Sequence, residues 1–191
     1  MGASTRDRIV EASAGLFLRH GYAGAGMKQI VEVSDATAGS VYHFFPGGKE
    51  ELAAEALRWS GAWYEALVTG IFDAEPDLLS GVRAAFEGAA DVLVATDYAD
   101  ACPVATVALE VASSNEPLRA VSAEIFASWH RALLRRLRAA GIRGRAATDL
   151  AHTLVAALEG GFLLSRVAKD PAPMRSIGRS MATLVEVALR S

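Results

Sequence analysis

Thr37-Ala38-Gly39-Ser40-Val41-Tyr42-His43-Phe44, then Phe45-Pro46-Gly47-Gly48 and Lys49-Glu50-Glu51-Leu52, is the stretch on which the fold turns. The Thr37 hydroxyl can accept an orphan backbone N–H, so it caps a helix over 38–44. The Pro-Gly-Gly run breaks that helix. Upstream, Ser34-Asp35-Ala36 reads as a tight turn, and Asp35 tolerates the left-handed conformation better than most residues. Before it lies a short helix over 27–33. Before that, a helix over 5–20 puts Ile9, Ser13, Leu16, Phe17 and His20 near one face, with Gly21 as its stop. Three short helices with a three-residue turn between the second and third describe a helix-turn-helix. In such a unit the third helix enters the major groove and its N-terminal residues meet base edges. Ala38 and Gly39 are small enough for close backbone approach. Ser40, Tyr42 and His43 bring hydroxyl and imidazole groups that can reach phosphate. Val41 and Phe44 are expected to pack inward.

The rest of the 191 residues continues in helical periodicity, with no convincing alternating strand. A long helix from about Lys49 to Thr69 aligns Leu52, Ala56, Trp59, Trp63 and Leu67 on an expected inner face. Pro76 opens a fifth helix with Leu79, Val82, Phe86, Ala90 and Leu93 at core spacing. Pro103 opens a sixth, ending near Ser113, and residues 117–140 form a seventh. The eighth, about 146–168, is apolar nearly all round except for a seam of His152, Glu159 and Arg166. The ninth follows Pro171 and Pro173, with Ile177, Met181, Leu184 and Ala188 inward. The expectation is an all-α chain of about nine helices. Residues 1–48 are the helix-turn-helix head, and 49–191 the body.

Composition sets the bounds. Apolar residues make up 52% and charged residues 21%, enough for a real core and too little charge for default disorder. The net charge of -3 does not itself point to nucleic acid. Within residues 1–50, Arg6, Arg8, Arg19, Lys28 and Lys49 balance Asp7, Glu11, Glu32, Asp35 and Glu50, so phosphate contact must come from a few placed groups. Cys102 is the single cysteine, which fits a reducing compartment. No apolar leader and no uninterrupted apolar run of about 18 residues is evident, so a cytoplasmic protein is expected.

At the run Tyr42-His43-Phe44-Phe45-Pro46-Gly47-Gly48-Lys49-Glu50-Glu51-Leu52, together with Ile9, Ala12, Leu16, Phe17, Gly21-Tyr22 and Ile30, residues 5–52 resemble the TetR/AcrR family of regulators. Cys102-Pro103-Val104-Ala105-Thr106-Val107-Ala108-Leu109-Glu110 is similar to the LmrA/YxaF-like branch. The resemblance implies a homodimer with a ligand cavity in its helical body, bound to double-stranded operator DNA and released by a small-molecule effector. It also implies phosphate contact by Thr37, Tyr42, His43 and Lys49 and base contact near Ala38, Gly39 and Ser40; Lys28 is a further DNA-binding candidate. Ala25 departs from the pattern, standing where the family usually has a Thr or Ser that caps the second helix.

For the ligand, Trp59, Trp63, Phe86, Leu93, Glu110, Phe126 and Trp129 are the candidates, each weighed against ordinary core packing or, for Glu110, exposure. For the dimer, the apolar eighth helix and the ninth supply Leu154, Leu158, Gly161, Phe162, Met181 and Leu184, with Gly160 and Gly161 permitting close approach. The arginines from Arg131 to Arg145 read as a solvated face rather than a second nucleic-acid site. His20, His43, His130 and His152 form no close metal pair with one another or with Cys102, and no nucleophile–base–orienter set can be assembled. No metal, cofactor or enzyme activity is therefore expected. The function expected is a ligand-responsive DNA-binding regulator, a repressor released by a small apolar or aromatic molecule. The rival is a small-molecule-binding helical protein that has lost specific DNA binding, motivated by the neutral head and the absent cap.

Overall fold

The computed structural model describes residues 4–190 and is all-α. The outermost residues of the two expected domains, 1–3 and 191, lie outside that range. The helices among the described residues are α1 (Thr5–Gly24), α2 (Met27–Val33), α3 (Ala38–Phe44), α4 (Gly48–Ala74), α5 (Leu78–Ala95), α6 (Pro103–Val111), α7 (Glu116–Ala139), α8 (Gly144–Ala168) and α9 (Ala172–Leu189). Tertiary contacts divide the chain into two compact units, one of residues 1–63 with 102–125, the other of 64–101 with 126–191. The first therefore joins α6 and the start of α7 to the helix-turn-helix. This grouping by contact cuts the chain differently from the functional boundary expected at residue 48.

In the first unit, α1 starts with a capping box. The Ser4 hydroxyl accepts from the Asp7 N–H, and Asp7 in turn accepts from the Ser4 backbone. Gly21 does not end α1 but breaks it, at φ 69° and ψ -177°, a conformation reserved for glycine, and one further turn follows. Ile9, Phe17, Ile30, Val41, Phe45 and Leu52 are all essentially sealed from solvent. Here Phe45, not Phe44, is the inward aromatic. Phe44 follows Val41 by three residues yet stays partly exposed, while Phe45, the non-helical residue that caps the helix, places its ring in the core.

The expected inner stripe of α4 holds only at its start. Leu52 and Ala56 are buried, but Trp59, Trp63 and Leu67 are substantially exposed. The buried positions instead include Ala53, Leu57 and Ser60, so the apolar stripe read from large residues is rotated from the one that packs. Asp77, rather than Pro76, starts α5, its carboxylate accepting the Ser80 N–H at 2.8 Å.

In the second unit, α5 and α8 both pack on α9, around Phe72, Val82, Phe86, Leu93, Leu137, Leu150, Leu154, Met174 and Val185. On α9 the core position is Val185; Leu184 is half exposed. Gly161 lies under Met174, where a Cβ would come within 2.6 Å of the thioether sulfur, so its small size serves packing inside the chain. Arg166 on the α8 seam donates to the Tyr98 carbonyl at 3.1 Å and the Ala99 carbonyl at 3.3 Å, bracing the left-handed turn at Asp97 and Tyr98. His152, on the same seam, stacks on His130 with ring centroids 3.9 Å apart.

The cap of α2 falls one residue later than expected. Gly26, not Ala25, is the N-cap, it makes no side-chain cap bond, and Ala25 is fully buried as the C-cap of α1. A Cβ at Gly26 would meet nothing within 4 Å. Gly26→Ser should therefore stabilise the protein by roughly 0.5 kcal/mol through a new cap and a stiffer unfolded chain. Ala25→Thr should destabilise it by placing a hydroxyl in a sealed site. Thermal unfolding of the two variants checks both signs; a stabilising Ala25→Thr would mean the cap is misplaced.

Candidate nucleic-acid interface

Ser34 ends α2 at φ -83° and ψ -4°, and Asp35 follows in the left-handed region at φ 50°. That pair turns the chain sharply enough to start α3 three residues later. Thr37 caps α3 as its sequence predicts: its Oγ1 accepts the Ser40 N–H at 3.1 Å and lies 2.9 Å from the Ser40 hydroxyl. One orphan N–H of the α3 N-terminus is thus satisfied by Thr37, which fixes the start and register of the helix.

Of the residues assigned to DNA, Lys28, Thr37, Ala38, Gly39, Tyr42 and His43 are exposed and Ser40 is half-buried. Tyr42 retains 53% of its surface with Val41 sealed beside it, as one turn of an amphipathic helix requires. His43 packs edge-on against Phe44 at 5.2 Å. Apart from Lys28 on α2, these side chains belong to one continuous segment, so α3 offers small residues first and hydrogen-bonding groups after them.

Lys49 stands differently from the others. Its ammonium lies 4.5 Å above the Tyr22 ring, half-buried at the first turn of α4. Burial lowers its pKa, and the negative charge of Glu110 works in the opposite direction. The α4 start is otherwise suited to its dipole. The Glu51 carboxylate accepts the Gly47 N–H at 2.8 Å, and Gly48 takes φ 68° in the turn. Two further ties hold the unit. Arg6 donates to Glu55 at 2.6 Å while stacking over Phe45, and the hydrogen bond from Arg6 holds the Glu55 carboxyl below its ordinary range. Asn115 donates to Glu50 at 2.6 Å and caps α7 by accepting the Leu118 N–H.

The residues assigned to an effector divide between the two units, Trp59, Trp63 and Glu110 in the first and Phe86, Leu93, Phe126 and Trp129 in the second. Phe86 and Leu93 are core of the second unit, and the Glu110 carboxylate accepts the Ala23 N–H at 2.8 Å inside the first. Phe126 and Trp129 form an edge-to-face pair at 5.4 Å and are half-buried. Trp59 and Trp63 are exposed. An open groove between α5 and α9 is lined by Glu75, Arg83, Glu87, Arg175 and Arg179 beside Phe86, too charged a wall for an apolar molecule. Of the residues assigned to a dimer, Leu154, Gly161 and Met181 are buried within the chain and leave little surface open. The large apolar residues left open on α8 and α9 are Leu163, Leu164, Val167, Leu184, Val187 and Leu189. Sequence reading missed most of these because α8 is apolar on several faces and its inner face could not be told from its outer one.

The comparisons match this architecture. Residues 9–56 match the model for bacterial regulatory proteins of the tetR family. Residues 79–180 match that for the C-terminal domain of LmrA/YxaF-like transcriptional regulators. The chain belongs to the TetR family of transcriptional regulators. It is 35% identical to the HTH-type transcriptional regulator YxaF of Bacillus subtilis over 95% of both chains. It is 31% identical to the HTH-type regulator LmrA of the same organism, over 95% of this chain and 97% of that one. A TetR regulatory protein from Rhodobacter sphaeroides shares the fold at a TM-score of 0.83 and 19% identity, over 95% of this chain and 98% of the other. A TetR regulator from Legionella pneumophila does so at 0.82 and 19%, over 94% and 96%. As a TetR-family member the chain is a DNA-binding transcriptional regulator, of a soluble, typically cytoplasmic class that is not enzymatic.

Because Tyr42 projects outward and Phe45 inward, their alanine variants should separate function from folding. Tyr42→Ala should unfold at nearly the wild-type temperature and lose about tenfold in affinity for every duplex alike, the worth of one hydrogen bond to a charged group. Phe45→Ala should cost about 3–5 kcal/mol of stability through the cavity it opens. Calorimetry paired with fluorescence anisotropy on labelled duplex reads both; equal DNA affinity after loss of Tyr42 would remove it from the interface.

Proposed function

We propose that this protein is a ligand-responsive repressor: a homodimer whose two α3 helices sit in successive major grooves of an operator and are withdrawn when a small apolar or aromatic molecule binds the body. Functionally, residues 1–48 form the DNA-binding domain and 49–191 the ligand-binding and dimerising domain. One observation carries the reading. α6, which belongs to the matched C-terminal regulator domain, packs directly on α1 of the helix-turn-helix within one compact unit. A change of state in the C-terminal domain that moves α6 therefore acts on the head without a linker in between.

In the head, Tyr42, His43, Thr37, Lys28 and Lys49 are assigned to phosphate, and Ala38, Gly39 and Ser40 to base edges. In the body, Phe126 and Trp129 are the aromatic pair best suited to an effector, since neither is sealed in the core. The dimer is supported by the open apolar strip of Leu163, Leu164, Val167, Leu184 and Val187, where Val167 alone exposes 80% of its surface. Such a strip on a soluble protein marks an interface. A C2 pairing of α8 and α9 with their copies covers it, and to reach successive major grooves such a dimer must present its two heads about one helical turn of DNA apart.

Two measurements test this. An operator found by selection with the purified protein should bind more weakly, by about 5–150-fold, when effector saturates the body, and operator should weaken effector binding by the same factor. Equal effector affinity for free and DNA-bound protein would end the switch. Sedimentation should give a dimer at micromolar concentration, and Val167→Glu should shift it toward monomer; a wild-type monomer would end the proposed interface.

A further inference from the structure

The break in α1 is built around a carboxylate from another helix. Gly21 takes its left-handed conformation where a Cβ would overlap the Glu110 carboxylate. Two residues on, the Ala23 N–H donates to Glu110 Oε2 at 2.8 Å. Between them, Tyr22 carries the Lys49 ammonium 4.5 Å above its ring. The last turn of α6 and the first turn of α4 thus meet at the tripeptide Gly21-Tyr22-Ala23. The other carboxylate near Tyr22, that of Glu50, is bonded to Asn115; at Lys49, burial lowers the pKa and the negative charge of Glu110 opposes it.

We propose that Glu110 is a positioning residue that sets the DNA affinity of the head, by competing with DNA phosphate for Lys49. The proposal rests on the phosphate role assigned to Lys49 above. An ammonium held over an aromatic face beside a carboxylate is already partly satisfied, and it must yield some of that attraction to engage phosphate. In a head whose formal charges balance, one lysine withheld is a large share of the available attraction. Because Glu110 lies on α6, any displacement of α6 changes the distance between this carboxylate and Lys49 and so changes how available the lysine is to DNA.

The two jobs of Glu110 separate chemically. Accepting the Ala23 N–H needs only an oxygen, which glutamine also has; attracting Lys49 needs the negative charge. Glu110→Gln in the full-length protein should therefore keep the wild-type unfolding temperature and bind operator about two- to fivefold more tightly at low salt, the size of an exposed ion pair. The gain should fade as salt rises and vanish in a Lys49→Ala background, where a double-mutant cycle isolates the pair. Tyr42→Ala is measured in parallel as a control for the DNA face. A gain that persists undiminished without Lys49, or no gain from Glu110→Gln while Lys49→Ala weakens binding, overturns the competition but leaves the phosphate role of Lys49 in place. If Lys49→Ala leaves affinity and its salt dependence unchanged while Tyr42→Ala still weakens binding, the phosphate role of Lys49 fails, and the competition with it. A fall in both stability and DNA affinity for Glu110→Gln, restored by neither salt nor Lys49→Ala, assigns Glu110 to packing alone and also overturns the proposal.

Discussion

A seven-residue helix has no independent stability in water: nucleation is costly, and helices below about 12–15 residues are marginal even with good formers. α3 carries four β-branched or ring residues, Val41, Tyr42, His43 and Phe44, and a glycine among its seven, so propensity does not rescue it. It exists because Val41 and the following Phe45 are sealed into the core shared with α1 and α2, and because Thr37 satisfies one of its orphan N–H groups. Arg6 then closes the arrangement from α1, covering Phe45 with its guanidinium plane while pairing with Glu55 on α4. The residues left facing outward owe their register to that anchoring. A recognition surface made this way is rigid because its inner half has no alternative place to go.

The same anchoring explains why the compact unit is discontinuous in sequence. The α1–α3 head is small, and small units bury too little of their surface to be secure alone. α6 and the first part of α7 supply the missing cover, through α6 packing on α1 and the Asn115–Glu50 bond. A segment lent by the C-terminal regulator domain is then part of the head's own stability. The coupling proposed above needs no long pathway, since α6 and α3 belong to one compact unit.

Local chemistry was legible in the sequence. Thr37, Asp35 and the Pro46-Gly47-Gly48 break act through neighbours within four residues, and each stands in the structure as its residue type dictates. What depended on distant partners was not. Trp59 and Trp63 sit at helical spacing with Leu52, but the packed face of α4 is decided by elements far along the chain, and those select Leu57 and Ser60. On α9, Leu184 and Val185 are adjacent and both apolar; only the position of α5 and α8 chooses between them. The Ala25–Gly26 error is a one-residue slip of a boundary whose cap makes no side-chain bond and so leaves no residue signature. The bond from Ala23 to Glu110 spans 87 residues, and no periodicity could announce it.

α8 shows how composition can mislead until its polar residues are placed. It is long and apolar enough, by length and mean hydropathy, to cross a membrane, and only 28% of its most apolar window is buried. Its seam argues otherwise. Arg166 is spent on the Tyr98 and Ala99 carbonyls and His152 on the ring of His130, so the polar residues face this protein's own turns and helices. Asp149, near the start of the same helix, accepts the Thr153 hydroxyl through its backbone and pairs with Arg145 in solvent. Sinking such a helix in lipid would carry a cost of about 2.5–3.5 kcal/mol for each charge near the bilayer centre, while its Leu163, Leu164 and Val167 would gain no more there than against the same strip of a second copy. For a TetR-family regulator the apolar strip is therefore best satisfied by protein, which is what the α8–α9 pairing proposed above would supply.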